Sequence, residues 1–425
     1  MKTKIFIYLC LSLYNLIMSI FSFCIFIYSL FNTNNTKYDQ RLLKQYKKSK
    51  SKEQIIWIHG SSIGEIKSIH KLVENIQNMY PNYQILITSN TYTSQQILCQ
   101  NFSNIMYQFL PYDCKFLVNK FLQIYNPSLA IFVEQDLFPM FLYSLKKLNI
   151  PILLINARMS DKSFLRWKKL KFIIKYLLSN FNEIFPSSVG NLYKFSQLSD
   201  VNCNFLGNLK FTSYELIDNT NIEYNKLQNL FKDKIIFLGI STHIDEEKIL
   251  VQSHLNLHKK FPNLITLIMP RYIDRISLLK RQFHNIFNID IPIYSNNNFA
   301  NKDLIFLDTL GKTSLFCFLS HITFIGKSLS TKKRGGQNLF EPILYNSVPI
   351  FGTSIENFIE IGQDIIKHNA GIQVKDEIDL QNNLEKLLNN PTLLNDLQNN
   401  GKKLLGNPNE IIKKHIEILK CYLNA

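Results

Sequence analysis

The chain has 425 residues, enough for two domains with additions, and its 46% hydrophobic share argues against global disorder. A formal charge of +16 favours acidic partners, namely anionic lipid, phosphorylated substrates or nucleic acid, although abundant Ile, Asn and Lys throughout suggest an A/T-biased genome and dilute that signal. No zinc spacing, RNP-like strand or helix-turn-helix signature supports nucleic acid, and seven scattered cysteines without a CxxC pair indicate neither a zinc site nor a disulfide framework.

Ile5–Phe31 runs without a charge for long enough, at ~1.5 Å per residue, to cross a ~30 Å hydrocarbon layer. It reads as one transmembrane helix. Lys2 and Lys4 precede it, whereas Lys37, Arg41, Lys44, Lys47, Lys48, Lys50 and Lys52 follow, which places the rest of the chain in the cytoplasm. The expected layout is an anchor over 1–35, a basic linker over 36–53, a first domain over 54–205 and a second over 206–425.

Gln54–His59 reads as a strand, followed by the turn Gly60-Ser61-Ser62-Ile63-Gly64-Glu65 and a helix from about Ile66 to Met79. Glu65 therefore stands at the carboxyl end of a strand, where open α/β sheets take their ligands. It is also a helix-start carboxylate, which the dipole should keep ionised. Leu129–Val133 is a strand ending in Glu134-Gln135-Asp136, two acids without a third metal ligand. Ile152–Ile155 leads into Arg158, whose planar fork of donors suits a carboxylate or phosphate, or a structural pair with Glu134. Over 162–185, basic residues mix with Trp167 and Phe172 on a helical segment, as suits an anionic membrane surface or a helix covering the sheet.

The alternation then repeats. Lys234–Ile240 runs into Ser241, Thr242 and His243, at a helix start that suits a cap or a phosphate. Leu264–Met269 runs into Arg271 and Arg275, and Ile305–Leu307 into Asp308 and Lys312. Ile322–Ile325 leads to Lys332, Lys333 and Arg334 beside Gly335 and Gly336, with Asn338 placed to cap a helix near Leu339 and Glu341 in its first turn. Bare glycine backbone, basic residues and a helix start form an anion site, and Glu341 suits a ribose diol. Helices over 357–366, 380–388 and 410–423 follow. Two successive α/β units predict an α/β fold of two Rossmann-like domains facing a cleft, preceded by the transmembrane helix.

Several of these stretches occur in one known order: WIHGSSIGE at 57–65, NAR at 156–158, GNLK at 207–210, STH at 241–243, PR at 270–271, GKS at 326–328, RGGQN at 334–338 and FEP at 340–342. The series resembles the Kdo transferases, which attach 3-deoxy-D-manno-oct-2-ulosonic acid to lipid A precursors. The resemblance implies a GT-B fold, CMP-Kdo as donor, a tetraacyl lipid A precursor as acceptor, inversion at the anomeric carbon, no metal or other cofactor, and a place at the bacterial inner membrane with its anionic surface. It implies Glu65 as catalytic base and Arg158 with Glu134 as acceptor or carboxylate contacts. Ser241, Thr242, Arg271, Arg334, Gly335, Gly336, Asn338 and Glu341 would bind the donor. Gln135, Phe138, Tyr272, Lys312 and Gln337 depart from the family pattern. Tyr272, Lys312 and Gln337 keep open a membrane-tethered relative without catalysis, and the widely shared Gly-Gly loop and ribose-binding Glu keep open a GT-B enzyme with another nucleotide-sugar donor.

Overall fold

A computed structural model describes residues 2–31, 36–46, 54–92, 95, 104–212, 222–296, 299, 302–329, 335–356 and 358–423. It divides into two compact units, Met1–Ser213 with Asn407–Ala425, and Tyr214–Gly406. The first carries α1 (Lys2–Phe31), α2 (Thr36–Arg41), β1 (Gln54–His59), α3 (Ile63–Ser68), α4 (His70–Met79), β2 (Tyr83–Ser89), β3 (Ile105–Phe109), α5 (Lys115–Tyr125), β4 (Pro127–Val133), α6 (Pro139–Lys147), β5 (Ile152–Ala157), α7 (Asp161–Lys169), α8 (Lys171–Leu178), β6 (Glu183–Pro186) and α9 (Val189–Leu198). The second runs α10 (Ile222–Leu230), β7 (Ile235–Thr242), α11 (Glu246–His258), β8 (Leu264–Pro270), α12 (Ile276–Phe287), β9 (Leu304–Phe306), α13 (Thr313–Leu319), β10 (Ile322–Ile325), α14 (Glu341–Leu344), β11 (Val348–Phe351), α15 (Ile359–Lys367), β12 (Ile372–Gln373), α16 (Glu377–Asn389) and α17 (Pro391–Leu405).

All recorded strand pairs are parallel, in the orders β3-β2-β1-β4-β5-β6 and β12-β11-β10-β7-β8-β9. Numbered within its own unit, each is the doubly wound order 3-2-1-4-5-6, whose chain direction reverses between the first and fourth strands. The crevices therefore open beyond β1/β4 in one unit and β7/β10 in the other. Strands such as β8, LITLIMP, are apolar but for Thr266 because helices cover both faces, and every β8 residue is buried. The first core centres on Trp57, wholly buried with ring centroids 4.9, 5.2 and 5.1 Å from Phe121, Phe132 and Phe141.

Three expectations change. Ile105–Phe109 is a strand that the sequence reading passed over, and the basic helix over 162–185 breaks at Leu170 into α7 and α8 before β6. The domain division also shifts: residues 206–213 belong to the first unit, as does α18 (Pro408–Lys420). Ile411, Ile412, Ile416 and Leu419 are buried there, beside α4 and the 3-10 turn Leu209–Thr212. Gly207, at φ +108°, fits under the helix because a Cβ would lie 2.5 Å from Ile411 Cγ1.

The helix α1 is long and apolar enough to span a membrane over Ile5–Phe31. One stripe of it nevertheless lies on the first unit. Leu11 and Tyr14 pack on the main core, and Met18 and Ile25 on a smaller cluster of Leu42, Tyr112, Cys114 and Leu117. Tyr14 donates to Asp113 Oδ2 at 2.9 Å, and Lys115 N–H to Asn15 Oδ1 at 2.8 Å. Asp113 also accepts from Met140 and Phe141 N–H at the start of α6, and burial pushes its carboxyl up to about 6. The opposite stripe, including Leu9, Leu13, Leu16, Ile20 and Phe23, is exposed.

Candidate active site

At the first crevice, β1 ends at His59 and the chain turns through Ser61 and Ser62 into α3, three residues before the helix start predicted from sequence. Ser62 is the N-cap and Glu65 the third helical residue, so Ser62-Ile63-Gly64-Glu65 has the spacing of a capping box. Glu65 N–H donates to Ser62 Oγ at 3.3 Å and Ser62 Oγ to Glu65 Oε1 at 2.9 Å. Ser61 N–H donates to Glu65 Oε2 at 2.6 Å.

Glu65 is 8% exposed. Desolvation first, then the charge of Asp136, hold its carboxyl up at about 7 against the pull of these hydrogen bonds. The expectation that the helix dipole would keep it ionised is overturned, because tertiary burial outweighs a terminus effect of ~0.3–1 kcal/mol. The result is a carboxylate with the proton affinity of a neutral-pH base.

Beyond β4 lie Glu134 and Asp136. Glu134 is buried at φ +67° and pairs with Lys210 Nζ at 2.6 Å, while its carbonyl accepts from Arg158 N–H at 3.1 Å. The expected Glu134 contact is thus made by Lys210, which the sequence reading quoted within GNLK without a role. Arg158 is half-buried at the end of β5.

At the second crevice, β7 ends in Ser241 and Thr242. Ser241 adopts φ +50°, and Gly326 lets its carbonyl approach because a Cβ on that glycine would lie 2.2 Å from Ser241 O. Thr242 is wholly buried and donates to Glu247 Oε1 at 3.1 Å, so it supports the crevice from beneath instead of lining it. Arg275 is committed to the same carboxylate at 3.0 and 3.4 Å. Arg271 remains exposed just after β8. His243 stands among Lys327, Arg275 and Arg271; burial first, then those charges, lower its proton affinity. Its Nε2 has no hydrogen-bond partner among the described residues.

The loop after β10 is held by Glu246, a wholly enclosed carboxylate that accepts from His243, Lys327, Ser328 and Leu329 N–H at 2.9, 2.7, 2.9 and 3.1 Å. Lys332, Lys333 and Arg334 fall outside the described residues. Gly335 N–H donates to Glu356 Oε2 at 2.9 Å, and Gly336 N–H to Lys327 O at 2.8 Å. A Cβ on Gly335 would lie 2.1 Å from Lys327 O, which explains the glycine. Asn338 Oδ1 accepts from Phe340 N–H at 3.2 Å, but it caps no helix: α14 begins only at Glu341, with Phe340 at the N-cap.

The family model for 3-deoxy-D-manno-octulosonic-acid transferase matches residues 36–213. The chain is 32% identical over 381 residues to a 3-deoxy-D-manno-octulosonic acid transferase of Rickettsia typhi, covering 87% of this chain and 80% of that one. The chain belongs to the Kdo transferase family. A Haemophilus influenzae member is 31% identical over 377 residues, with 85% and 86% covered. In fold alone, a glycosyltransferase from Rickettsia africae superposes with a TM-score of 0.55 at 13% identity, over 88% of this chain and all of that one. UDP-GlcNAc 2-epimerase from Neisseria meningitidis gives 0.58 at 12%, over 86% and 99%. The architecture is that of GT-B glycosyltransferases.

Two departures of this transferase now have structural accounts. Lys312, where the family pattern carries an acid, pairs with Glu223 of α10 at 2.6 and 2.8 Å, and Tyr294 donates to the same carboxylate. The charge reversal is matched locally. Tyr272 packs edge-on against His243, with ring centroids 5.8 Å apart at 85°. Gln337 is half-buried, and nothing in the structure explains its replacement of His.

Proposed function

We propose that the protein transfers Kdo from CMP-Kdo to a tetraacylated lipid A precursor, lipid IVA, in lipopolysaccharide biosynthesis, with inversion and without a metal. The observation that carries this is a carboxylate held near neutral proton affinity at the first switch point, in a family of sugar transferases. A sugar hydroxyl attacks the anomeric carbon as Glu65 accepts its proton; the bond from that carbon to the CMP phosphate breaks, and the electron pair leaves on phosphate. Arg271 and Lys327 at the second switch point, with Arg334, neutralise that leaving group, and Gly335, Gly336, Ser241 and Asn338 border it. Glu341 accepts from the ribose hydroxyls. Arg158 takes the Kdo carboxylate or a lipid A phosphate, with Glu134 and Lys210 fixing its loop.

The test offers radiolabelled CMP-Kdo, and separately UDP-sugars, to membranes carrying the protein together with lipid IVA. Label should enter lipid from CMP-Kdo; incorporation only from a UDP-sugar would reassign the donor. Arg271→Ala and Glu341→Ala should each weaken CMP binding by about 1–3 kcal/mol. Unchanged calorimetric affinity in both would move the nucleotide elsewhere.

The helix α1 attaches the enzyme to the bacterial inner membrane, with the catalytic units in the cytoplasm. A full single-pass crossing would separate Tyr14 and Asn15 from Asp113 and the Lys115 backbone. The docked geometry favours a helix whose outer stripe enters the bilayer while its inner stripe stays on the first unit. Protease added outside intact spheroplasts should leave both units uncut. A cysteine-reactive, membrane-impermeant reagent should also fail to reach a cysteine placed at Thr3; labelling there from outside would restore the crossing.

A further inference from the structure

The polar residues beneath Glu65 make a directed chain. Trp57, Thr88 and His59 are all wholly buried. Trp57 Nε1–H donates to Thr88 Oγ1 at 2.8 Å, so the threonine's own hydrogen is available to His59 Nδ1, also at 2.8 Å. With the threonine hydrogen given to Nδ1, the imidazole proton sits on Nε2. Nε2–H faces Ser61 Oγ at 3.1 Å and Asp136 Oδ2 at 3.5 Å. Ser61 Oγ accepts in addition from Asn90 Nδ2 at 2.7 Å, which uses both of its lone pairs, and its one hydrogen goes to Asp136 Oδ2. Every link thus points from the indole toward the carboxylate. An acceptor completes such a chain, and the Asp136 carboxyl oxygen supplies it.

Ser61 is also the residue whose backbone N–H holds Glu65 Oε2. Its side chain is fixed by Asp136 from the loop after β4 and its main chain orients Glu65 on α3. Two loops on neighbouring strands are tied together at one serine.

We propose that Asp136 is a positioning residue for the transfer reaction: it ends the Trp57–Thr88–His59–Ser61 chain and locks the turn that aims Glu65. The proposal rests on Glu65 being the base. Among the described residues, the charged groups around Glu65 are Asp136 and Glu134 after β4 and Lys210 of the 3-10 turn bound to Glu134, and the titratable one is His59 at the end of β1. Asp136 is the largest charge effect on Glu65, after desolvation, and Glu134 is the smaller one. A turn-holding role alone would leave the pH dependence untouched when the shape is preserved.

The experiment uses the full chain in membranes. Asp136→Asn keeps the shape and an acceptor oxygen for Ser61 but removes the charge. Lower proton affinity at Glu65 should move the acid limb of kcat down by about one pH unit, with less than about a twofold change in KM for the nucleotide donor. An infrared pH titration of the Glu65 carboxyl band, assigned by its loss in Glu65→Gln, should move the same way. Asp136→Glu should return both toward wild type. Ser61→Ala cuts the chain while leaving the charge, so kcat should fall at least threefold with the limb unmoved. A limb and a band that both stay at the wild-type pH in Asp136→Asn overturn the proposal. If Glu65→Gln itself retains transfer, the base assignment fails, and the infrared band alone then decides whether Asp136 governs Glu65.

Discussion

Glu65→Gln should reduce sugar transfer by roughly 10²–10⁴-fold while the protein stays folded and still binds CMP. The amide keeps the side-chain shape and the contacts from Ser61 N–H and Ser62 Oγ, so what is lost is the ability to take a proton. In the native enzyme the rate should rise with pH to about 7 and level off above it, because the ionised form is the base and its carboxyl is held at about 7. The linkage sign gives a second readout. The folded carboxyl binds its proton more tightly than the unfolded one, so ionisation on raising pH through 7 destabilises the fold. Glu65→Gln should therefore stabilise the protein by about 1–3 kcal/mol at pH 8 and leave it unchanged at pH 4. Thermal melts at both values check this. Near-native transfer by the Gln variant would reduce Glu65 to a capping-box residue and sink the mechanism.

Glu246→Ala should have the largest effect on the second unit. One buried carboxylate holds four backbone N–H groups, three of them in the loop after β10 that carries Lys327. Removing it leaves those donors enclosed without an acceptor, at a cost of about 3 kcal/mol. The unfolding midpoint of this unit should drop by roughly 6–12 °C. CMP affinity should fall at least tenfold, since His243 and Lys327 lose their common brace. Wild-type CMP binding in a folded Glu246→Ala protein would show that the loop needs no such brace.

Most strands were legible because a parallel sheet covered on both faces writes itself as uninterrupted apolar runs. Glu65 was legible as well, since a carboxylate after a strand and a Gly-Ser-Ser turn falls at a crevice whatever follows. Its proton affinity was not, because desolvation and Asp136 come from packing that local sequence does not encode. The same gap hid Lys210 as the partner of Glu134 and Ser61 as the knot between two loops, for these contacts join distant segments. Thr242 shows the opposite error: a hydroxyl at a strand end reads equally as ligand or support, and burial decides for support. The tail was assigned by order along the chain, yet its isoleucines and leucines pack on the first unit.

That returning tail bears on how the protein is made. Between α18 and the sheet of the first unit, Leu72, Ile131, Leu153, Ile155 and Phe185 line a small cavity together with His415, Ile418 and Leu419. Translation delivers those last three residues only after the entire second unit has left the ribosome. At ~5–20 residues per second, the nascent first unit waits on the order of ten seconds or more with an open oily seam across its sheet. A chaperone or the membrane surface must shield that seam in the meantime, and ribosomes stalled within the second unit should yield a first unit that is readily digested by protease.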